Sequence, residues 1–337
     1  MKPILVIPAM FRSPMLDACL SYVINSDYDG DIMVTSADDA VSYVESVSDR
    51  ITFYHAVRTD GSSIQLRLIT STIPSIDSSY DTIYFMHNDV LVHDHWYSDM
   101  VRGWEYGSDN VWCICSPYTW YEPVNNIPGY YDKACTMSPG EIRSTYRSYE
   151  GLRCAYTPVD GQILGPGIDM RNSKANNPVM VRFSVLTSYK REWYMRSLDK
   201  YGGESDHLTE IYMLLDGIDN RKLNLWVKGD PVIHVTAYDS SYIPIDDTNE
   251  GINEAYRIYT RNVGHNLEHP VTIWNKYLCA KYKDEMSIGI ASNDFNSIYH
   301  IIDEASDMIH NITCDTCPAS HLCMASGNKH HPHPWIK

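Results

Sequence analysis

One aspartate stands at the end of an apolar run and is the first candidate for chemistry. The apolar segment 83–86 is followed directly by His87, Asn88 and Asp89. A buried strand that ends at a carboxylate places that group at the edge of a sheet, where open α/β sheets bind their ligands. One carboxylate there suits a divalent metal that substrate phosphates also hold. Asp89 therefore predicts a metal or diphosphate site, although a strand-end carboxylate can also be an ordinary turn or helix cap.

Further polar groups lie where other predicted elements end, and loops at such ends carry sites. They are Arg12 after the first strand, Asp38 and Asp39 after the second, Glu204 and Asp206 in the first turn of a helix, and His234 at the end of a late strand. Together they offer metal ligands, a base and a contact for a nucleoside. Structural roles are the alternatives, since acids favour helix starts through capping and the helix dipole. His234 can equally be a packed side chain, and Arg12 can pair with a surface acid.

The elements that must position these residues follow from the hydrophobic pattern. Short apolar runs alternate with segments of helical spacing, which predicts βαβ units and a mostly parallel sheet. The predicted strands are 4–7, 32–34, 51–57, 83–86, 111–115, 179–186, 225–227 and 232–235. The predicted helices start at Ser13-Pro14, near Ser62, near Trp96, near Arg191 and near Glu204, and a last apolar stripe runs from Ile298 to Ile309.

Composition limits the classes of protein that fit. The chain has 337 residues, with 44% hydrophobic and 21% charged residues, as expected of a soluble globular protein. Its net charge of −16 argues against non-specific coating of nucleic acid, which needs Lys and Arg. No apolar stretch is long enough to predict a membrane span, and the first apolar run is too short for a signal peptide. We therefore expect a cytoplasmic protein whose nine cysteines are mostly thiols or metal ligands.

The order of these pieces resembles the GT-A glycosyltransferases, especially the family-2 type, over roughly residues 3–236. In that family the first strand ends in a Pro and a nearby Arg, matched by Pro8 and Arg12. An Asp after the second strand touches the nucleotide base, and Asp38 or Asp39 matches it. The resemblance implies a GT-A fold and a nucleotide-diphosphate sugar as the donor.

The resemblance extends to a metal site. The family's Asp-x-Asp motif matches His87-Asn88-Asp89, with His87 in place of the first Asp, and a late metal ligand matches His234. It implies Mn²⁺ or Mg²⁺ held by Asp89 and His234, with His87 as a further ligand. His87 and Asn88 would lie on the side of the nucleotide sugar.

The family's acceptor-side Glu-Asp motif matches Glu204-Ser205-Asp206, with one residue inserted, so either Glu204 or Asp206 would be the catalytic base. Residues 1–237 are thus expected to form the catalytic domain of an inverting, hexosyltransferase-type enzyme. Its acceptor would be a hydroxyl of a glycan, a protein or a modified base of DNA. A nucleotidyltransferase and a catalytically degenerate sugar-binding protein are the alternatives.

Residues 238–337 are expected to form a mainly helical C-terminal region with a cysteine cluster. Cys314, Cys317, His321 and Cys323 have a spacing that can close a tetrahedral Zn²⁺ site within a knuckle at 314–333. A histidine among 330, 331 and 333 could replace His321 as the fourth ligand. Three cysteines at this spacing also occur around iron–sulfur clusters, and free thiols or a disulfide are further alternatives.

Overall fold

The computed structural model describes residues 2–9, 11–56, 72–116, 118–123, 152–155, 185–201, 217, 220–227, 230, 232–235, 281–282, 285, 288–289, 292 and 294–311. The strands are β1 Pro3–Pro8, β2 Asp31–Ser36, β3 Ile51–His55, β4 Thr82–Met86, β5 Val90–Leu91, β6 Val111–Cys115, β7 Tyr118–Pro123, β8 Leu152–Ala155, β9 Leu186–Lys190, β10 Leu223–Trp226 and β11 Val232–Val235. The α-helices are α1 Pro14–Ile24, α2 Trp96–Gly107, α3 Arg191–Tyr201 and α4 Tyr299–His310. Short 3₁₀ helices cover Asp39–Ser46, Ile73–Ser75, Ser108–Asn110 and Phe295–Ile298.

The central sheet confirms the predicted fold class. Its seven strands lie in the order β10-β6-β9-β4-β1-β2-β3. All neighbouring strands run parallel except β9, which is antiparallel to β4 and to β6. The chain passes from β1 to β2 and β3 on one side and then crosses to β4 on the other side of β1. The carboxyl ends of β1 and β4 therefore flank a topological switch point, where such sheets place their ligands.

The strands at the centre of this sheet are buried on both faces. Every residue of β4 is buried, as is every residue of β1 after Pro3. Such continuous apolar strands are expected where helices cover both faces of a parallel sheet. Helix α1 begins as predicted: the Ser13 side chain accepts a hydrogen bond from the Leu16 backbone N–H at 3.1 Å, and Pro14 occupies the first turn.

Strand β9 differs from its prediction. The prediction ended this strand at Leu186, whereas β9 starts there and continues through four residues that carry hydroxyls or a charge. The first three of them are buried because β9 lies between β4 and β6, and Lys190 is half-buried. The Ser188 hydroxyl accepts a 2.6 Å hydrogen bond from Trp104 Nε1, which satisfies a polar group that would otherwise be costly to bury. The sequence pattern misplaced this strand because its burial depends on partners far along the chain.

A second sheet starts where β4 ends. Its strands lie in the order β5-β11-β7-β8, with β11 parallel to β7 and antiparallel to β5. Only the turn 87–89 separates β4 of the first sheet from β5 of the second. The two sheets therefore meet at His87, Asn88 and Asp89, where the metal site was predicted.

Helix α4 packs against the edge of the central sheet. Ile298, Ile301 and Ile302 of the predicted apolar stripe are buried in the same core as the sheet residues, together with Phe295. Arg221, next to β10, donates from Nε to the Asp303 carboxylate at 2.8 Å. Within the described part of the chain, no helix has both the length and the apolar character needed to cross a membrane.

Candidate functional site

Backbone hydrogen bonds fix the turn 87–89 in place. The His87 N–H donates to the Val185 carbonyl at 3.0 Å, and the Asp89 carbonyl accepts from the Val235 N–H at 2.9 Å. In the antiparallel pairing of β5 with β11, His234 lies opposite Val90. These contacts bring a histidine from the far end of the domain beside Asp89.

Three side chains converge there, and we call them the His87–Asp89–His234 cluster. His234 Nε2 lies 3.1 Å from each carboxylate oxygen of Asp89. His87 Nδ1 lies 4.0 Å from Asp89 Oδ1, and the two imidazole rings are nearly perpendicular with centroids 5.4 Å apart. One ligand atom from each residue falls within 4.8 Å of the others, so the cluster could hold a metal ion.

The electrostatics of Asp89 fit a cation. Burial raises the pKa of its carboxyl, but the neighbouring imidazoles of His234 and His87 outweigh burial, and the pKa lies below its ordinary value. The carboxylate is therefore ionised in a site where only 13% of the side chain is exposed. Its Oδ1 atom is buried and accepts no hydrogen bond within the described part of the chain. This oxygen, which has no hydrogen-bond donor, and two imidazole nitrogens together form a donor set for a divalent metal.

The cluster is open on one side. The His87 side chain is 39% exposed, whereas that of His234 is only 11% exposed. A ligand would thus approach over His87. Asn88, which we expected to contact the donor, is buried with 1% of its surface exposed, so its side chain lies inside the protein.

A buried thiol supports the turn from below. Cys19 of α1 is fully buried, and its Sγ lies 3.8 Å from the His87 carbonyl oxygen as a weak donor. Cys19 was not among the predicted site residues. Its helical spacing indicates only a core position, and nothing local shows that it reaches the turn after β4.

Pro8 and Arg12 lie at the carboxyl end of β1, as predicted. Pro8 is buried, and the next residue ties β1 to β2 through a 2.8 Å hydrogen bond from the Ala9 N–H to the Thr35 carbonyl. The Arg12 guanidinium lies over the ring of Tyr43, 4.1 Å from its centroid. Tyr43 in turn donates its hydroxyl to Asp17, and burial together with this bond raises the pKa of Tyr43. Tyr43 thus supports Arg12, a predicted site residue. The sequence did not predict this role, because a single aromatic residue in a short helix has no distinctive pattern.

Asp38 and Asp39 follow β2 and make different contacts. Asp38 Oδ1 accepts from the Ala40 N–H at 2.9 Å and caps the 3₁₀ helix that follows, the structural role considered above. The Asp39 side chain is 87% exposed and lies 2.8 Å from His55 Nδ1 at the end of β3. A contact of either carboxylate with a nucleoside stays a prediction.

The remaining predicted residues lie outside the described part of the chain. They are Glu204 and Asp206 of the predicted base, and Cys314, Cys317, His321 and Cys323 of the predicted zinc knuckle. The structure therefore brings together the predicted metal ligands, and the predicted base and knuckle stay predictions.

No protein-family model and no curated protein sequence matches the chain. By contrast, 265 solved chains resemble its structure. Among them, S. aureus TarS is 9% identical with a TM-score of 0.44, over 97% of this chain and 80% of that one. The 4-diphosphocytidyl-2C-methyl-D-erythritol synthase of Anaerococcus prevotii is 9% identical with a TM-score of 0.40, over 76% and 98%. CMP:2-keto-3-deoxy-manno-octonic acid synthetase, in complex with CTP, is 11% identical with a TM-score of 0.40, over 72% and 96%. Identities this low do not assign a function to this chain.

Proposed function

We propose that this protein is a transferase that uses a nucleotide-diphosphate sugar and moves the sugar to an acceptor hydroxyl with inversion. The observation that carries the proposal is the position of the His87–Asp89–His234 cluster at the carboxyl end of β4, beside the switch point of the sheet. A metal-binding set at that crevice suits a ligand whose phosphates complete the metal's coordination. The GT-A resemblance of the sequence supplies the reaction.

The residues around the crevice have complementary roles in this proposal. The cluster would hold Mn²⁺ or Mg²⁺, which neutralises charge on a diphosphate leaving group. Arg12 is exposed at the end of β1 and presents a guanidinium fork that suits phosphate oxygens. Asp38 and Asp39 would face the nucleoside from the end of β2. Asp206, or Glu204 in its place, would take the proton from the acceptor hydroxyl as it attacks the anomeric carbon.

Metal-dependent donor binding is the test. Nucleoside diphosphates are screened by thermal shift with and without Mn²⁺, because a ligand that binds only the folded state raises the melting temperature. The proposal expects one nucleoside diphosphate to stabilise the protein only when Mn²⁺ is present. Asp89→Asn should abolish that shift. His95→Ala, an exposed histidine outside the cluster, should preserve it. A shift that persists in Asp89→Asn would contradict the proposed role of the cluster.

The product distinguishes the alternatives. A glycosyltransferase releases a nucleoside diphosphate from its donor, whereas a nucleotidyltransferase releases pyrophosphate from a nucleoside triphosphate. A degenerate sugar-binding protein binds the donor and releases neither. The acceptor, whether a glycan, a protein or a modified DNA base, is then sought by the product it forms. If Asp206 is the base, Asp206→Asn should lower turnover far more than donor affinity, and Glu204→Gln should not.

The C-terminal region is proposed to carry a separate structural metal. Cys314, Cys317, His321 and Cys323 would hold one Zn²⁺ per chain in a tetrahedral site. Elemental analysis of protein prepared without a histidine tag tests this. Iron with acid-labile sulfide would instead indicate a cluster.

A further inference from the structure

The donor set of the His87–Asp89–His234 cluster is rich in nitrogen. Two of its three ligands are imidazoles and one is a carboxylate. Imidazole nitrogen adds no negative charge in its neutral, metal-binding form, so the cluster brings one negative charge to the ion. Mg²⁺ is a hard cation that gives up its waters reluctantly and prefers oxygen ligands, whereas imidazole suits Fe²⁺, Ni²⁺ and Zn²⁺.

We infer that the cluster selects a first-row transition-metal ion and discriminates against Mg²⁺, with His87 as the residue that sets this preference. The inference rests on the proposed function only in taking the cluster as the donor's metal site. It narrows the pair of ions considered above, because it favours Mn²⁺, a first-row transition-metal ion, over Mg²⁺. Among the transition ions, affinity should rise from Mn²⁺ to Co²⁺, as it generally does at sites of nitrogen and oxygen ligands.

The geometry divides the cluster into a fixed and an adjustable part. Two ligand atoms that each lie about 2.1 Å from a metal, at roughly a right angle, are about 3.0 Å apart. His234 Nε2 and Asp89 Oδ1 are 3.1 Å apart and both side chains are nearly buried, so this pair can accept a metal without moving. His87 Nδ1 is 4.0 Å from the same oxygen and lies on the exposed side. A modest rotation of an exposed side chain brings it to ligand distance.

This division makes His87 a suitable position for substitution. His87→Asp replaces an exposed imidazole by a carboxylate, adds a negative charge and leaves the fixed pair untouched. We expect it to raise the affinity for Mg²⁺ relative to Co²⁺. The fold should be preserved, because the backbone of His87, rather than its side chain, makes the hydrogen bond to Val185 that fixes the turn.

Metal competition on the full-length, chelator-stripped protein without nucleotide tests the inference. The EPR signal of free Mn²⁺ reports its binding, and Co²⁺ or Mg²⁺ is added to displace it. Mn²⁺ is a suitable reporter because it binds thiolates weakly, so the cysteines of the C-terminal region should not contribute to its signal. Co²⁺ is added in excess over all thiols of the chain, so that binding to cysteines does not deplete it. We expect Co²⁺ to displace Mn²⁺ at a concentration about tenfold or more below that of Mg²⁺. Asp89→Asn should abolish Mn²⁺ binding, which assigns the signal to the cluster.

Two variants sharpen the result. His87→Asp should narrow the ratio of the Mg²⁺ and Co²⁺ concentrations by about tenfold, whereas His95→Ala should keep the wild-type ratio. The inference is overturned if wild-type protein does not bind Mn²⁺, if Mg²⁺ competes as well as Co²⁺, or if His87→Asp leaves the ratio unchanged. Failure to bind any nucleotide would refute the proposed function, but it would not change the result of this metal competition. Failure of the proposed function and failure of the metal preference are therefore distinguishable.

Discussion

Two loops beside the central sheet hold a carboxylate in contrasting ways. Asp27, in the loop before β2, accepts hydrogen bonds from the Tyr97 N–H at 3.1 Å, the Ser98 N–H at 2.9 Å and the Ser98 hydroxyl at 2.5 Å. It thereby caps the start of α2 from outside that helix. Asp89, in the turn after β4, pairs its Oδ2 with His234 Nε2 in a 3.1 Å hydrogen bond. Its Oδ1 is also 3.1 Å from that nitrogen but accepts no hydrogen bond from the described residues.

The difference separates a carboxylate that builds the fold from one that serves a ligand. The oxygens of Asp27 satisfy backbone N–H groups that a helix start leaves without partners, so the charge of Asp27 stabilises α2. The Asp89 carboxylate instead faces the imidazoles of His234 and His87. Buried polar atoms in native proteins nearly always have a hydrogen-bond partner. Because Asp89 Oδ1 accepts no hydrogen bond from the described residues, it indicates a bound ligand such as a metal ion.

The largest effect should come from Asp89→Asn. The amide has the same shape and can still accept from His234, but it removes the charge that a metal needs. We expect turnover to fall by about 100-fold or more, while the free energy of unfolding changes by less than about 1 kcal/mol. Nucleotide release and urea unfolding measure the two quantities. Wild-type turnover in this variant would remove Asp89 from the site.

Asp27→Ala should show the reverse pattern. Losing an acceptor for the first N–H groups of a helix costs about 1–2 kcal/mol of stability, while metal binding and turnover should remain at wild-type levels. Asp29→Ala is the matched control, because Asp29 is exposed in the same loop and should leave the stability unchanged. If Asp27→Ala impaired turnover in folded protein, the contrast between the two carboxylates would fail.

A smaller effect is expected at Tyr43, which supports Arg12. Tyr43→Leu removes the ring beneath the guanidinium and should weaken donor binding by about 2–5-fold, the size of a cation–π contact at an exposed site. Tyr43→Phe keeps the ring and should bind the donor as wild type does. Calorimetric titration with the nucleoside diphosphate compares the two. Equal losses in both variants would assign the effect to the hydroxyl bond with Asp17 instead.

The smallest effect should appear at a third carboxylate, Asp99 of α2. Burial raises its pKa above the ordinary 3.8, more than Arg102 and His93 lower it. A raised folded-state pKa contributes stability that is present below pH 3.8 and is lost as the pH rises through the folded value. Asp99→Asn cannot ionise, so its stability relative to wild type should increase from acid to neutral pH. Urea unfolding of both proteins at acid and at neutral pH measures this difference in stability. A difference that does not change with pH would contradict the raised pKa of Asp99.

These contrasts show which parts of the molecule a sequence can reveal. The buried strand β4 and the position of Asp89 at its end were predictable, because both follow from apolar residues that are local in the chain. The same local reasoning could not distinguish a cap from a ligand, since either role places an acid after a strand. Asp38 is the example, and its contacts in the structure are those of a cap.

Contacts between distant segments were beyond local patterns. That His234 meets Asp89 depends on the pairing of β5 with β11, and two residues of β5 carry no detectable strand signal. The buried polar strand β9 was misplaced for a similar reason, because Trp104 satisfies Ser188 from 84 residues away. The role of Tyr43 was missed because it depends on the contact of its ring with the Arg12 guanidinium, which only the folded chain forms.

The pairing of His234 with Asp89 also changes what the chain can do when it unfolds. The two residues are 145 positions apart, so a metal bound by both would close a very long loop. Such a link removes more conformational freedom from an unfolded chain than a short loop does, although the gain grows only slowly with length. An ion held by this cluster would therefore act as a reversible cross-link between the turn after β4 and strand β11.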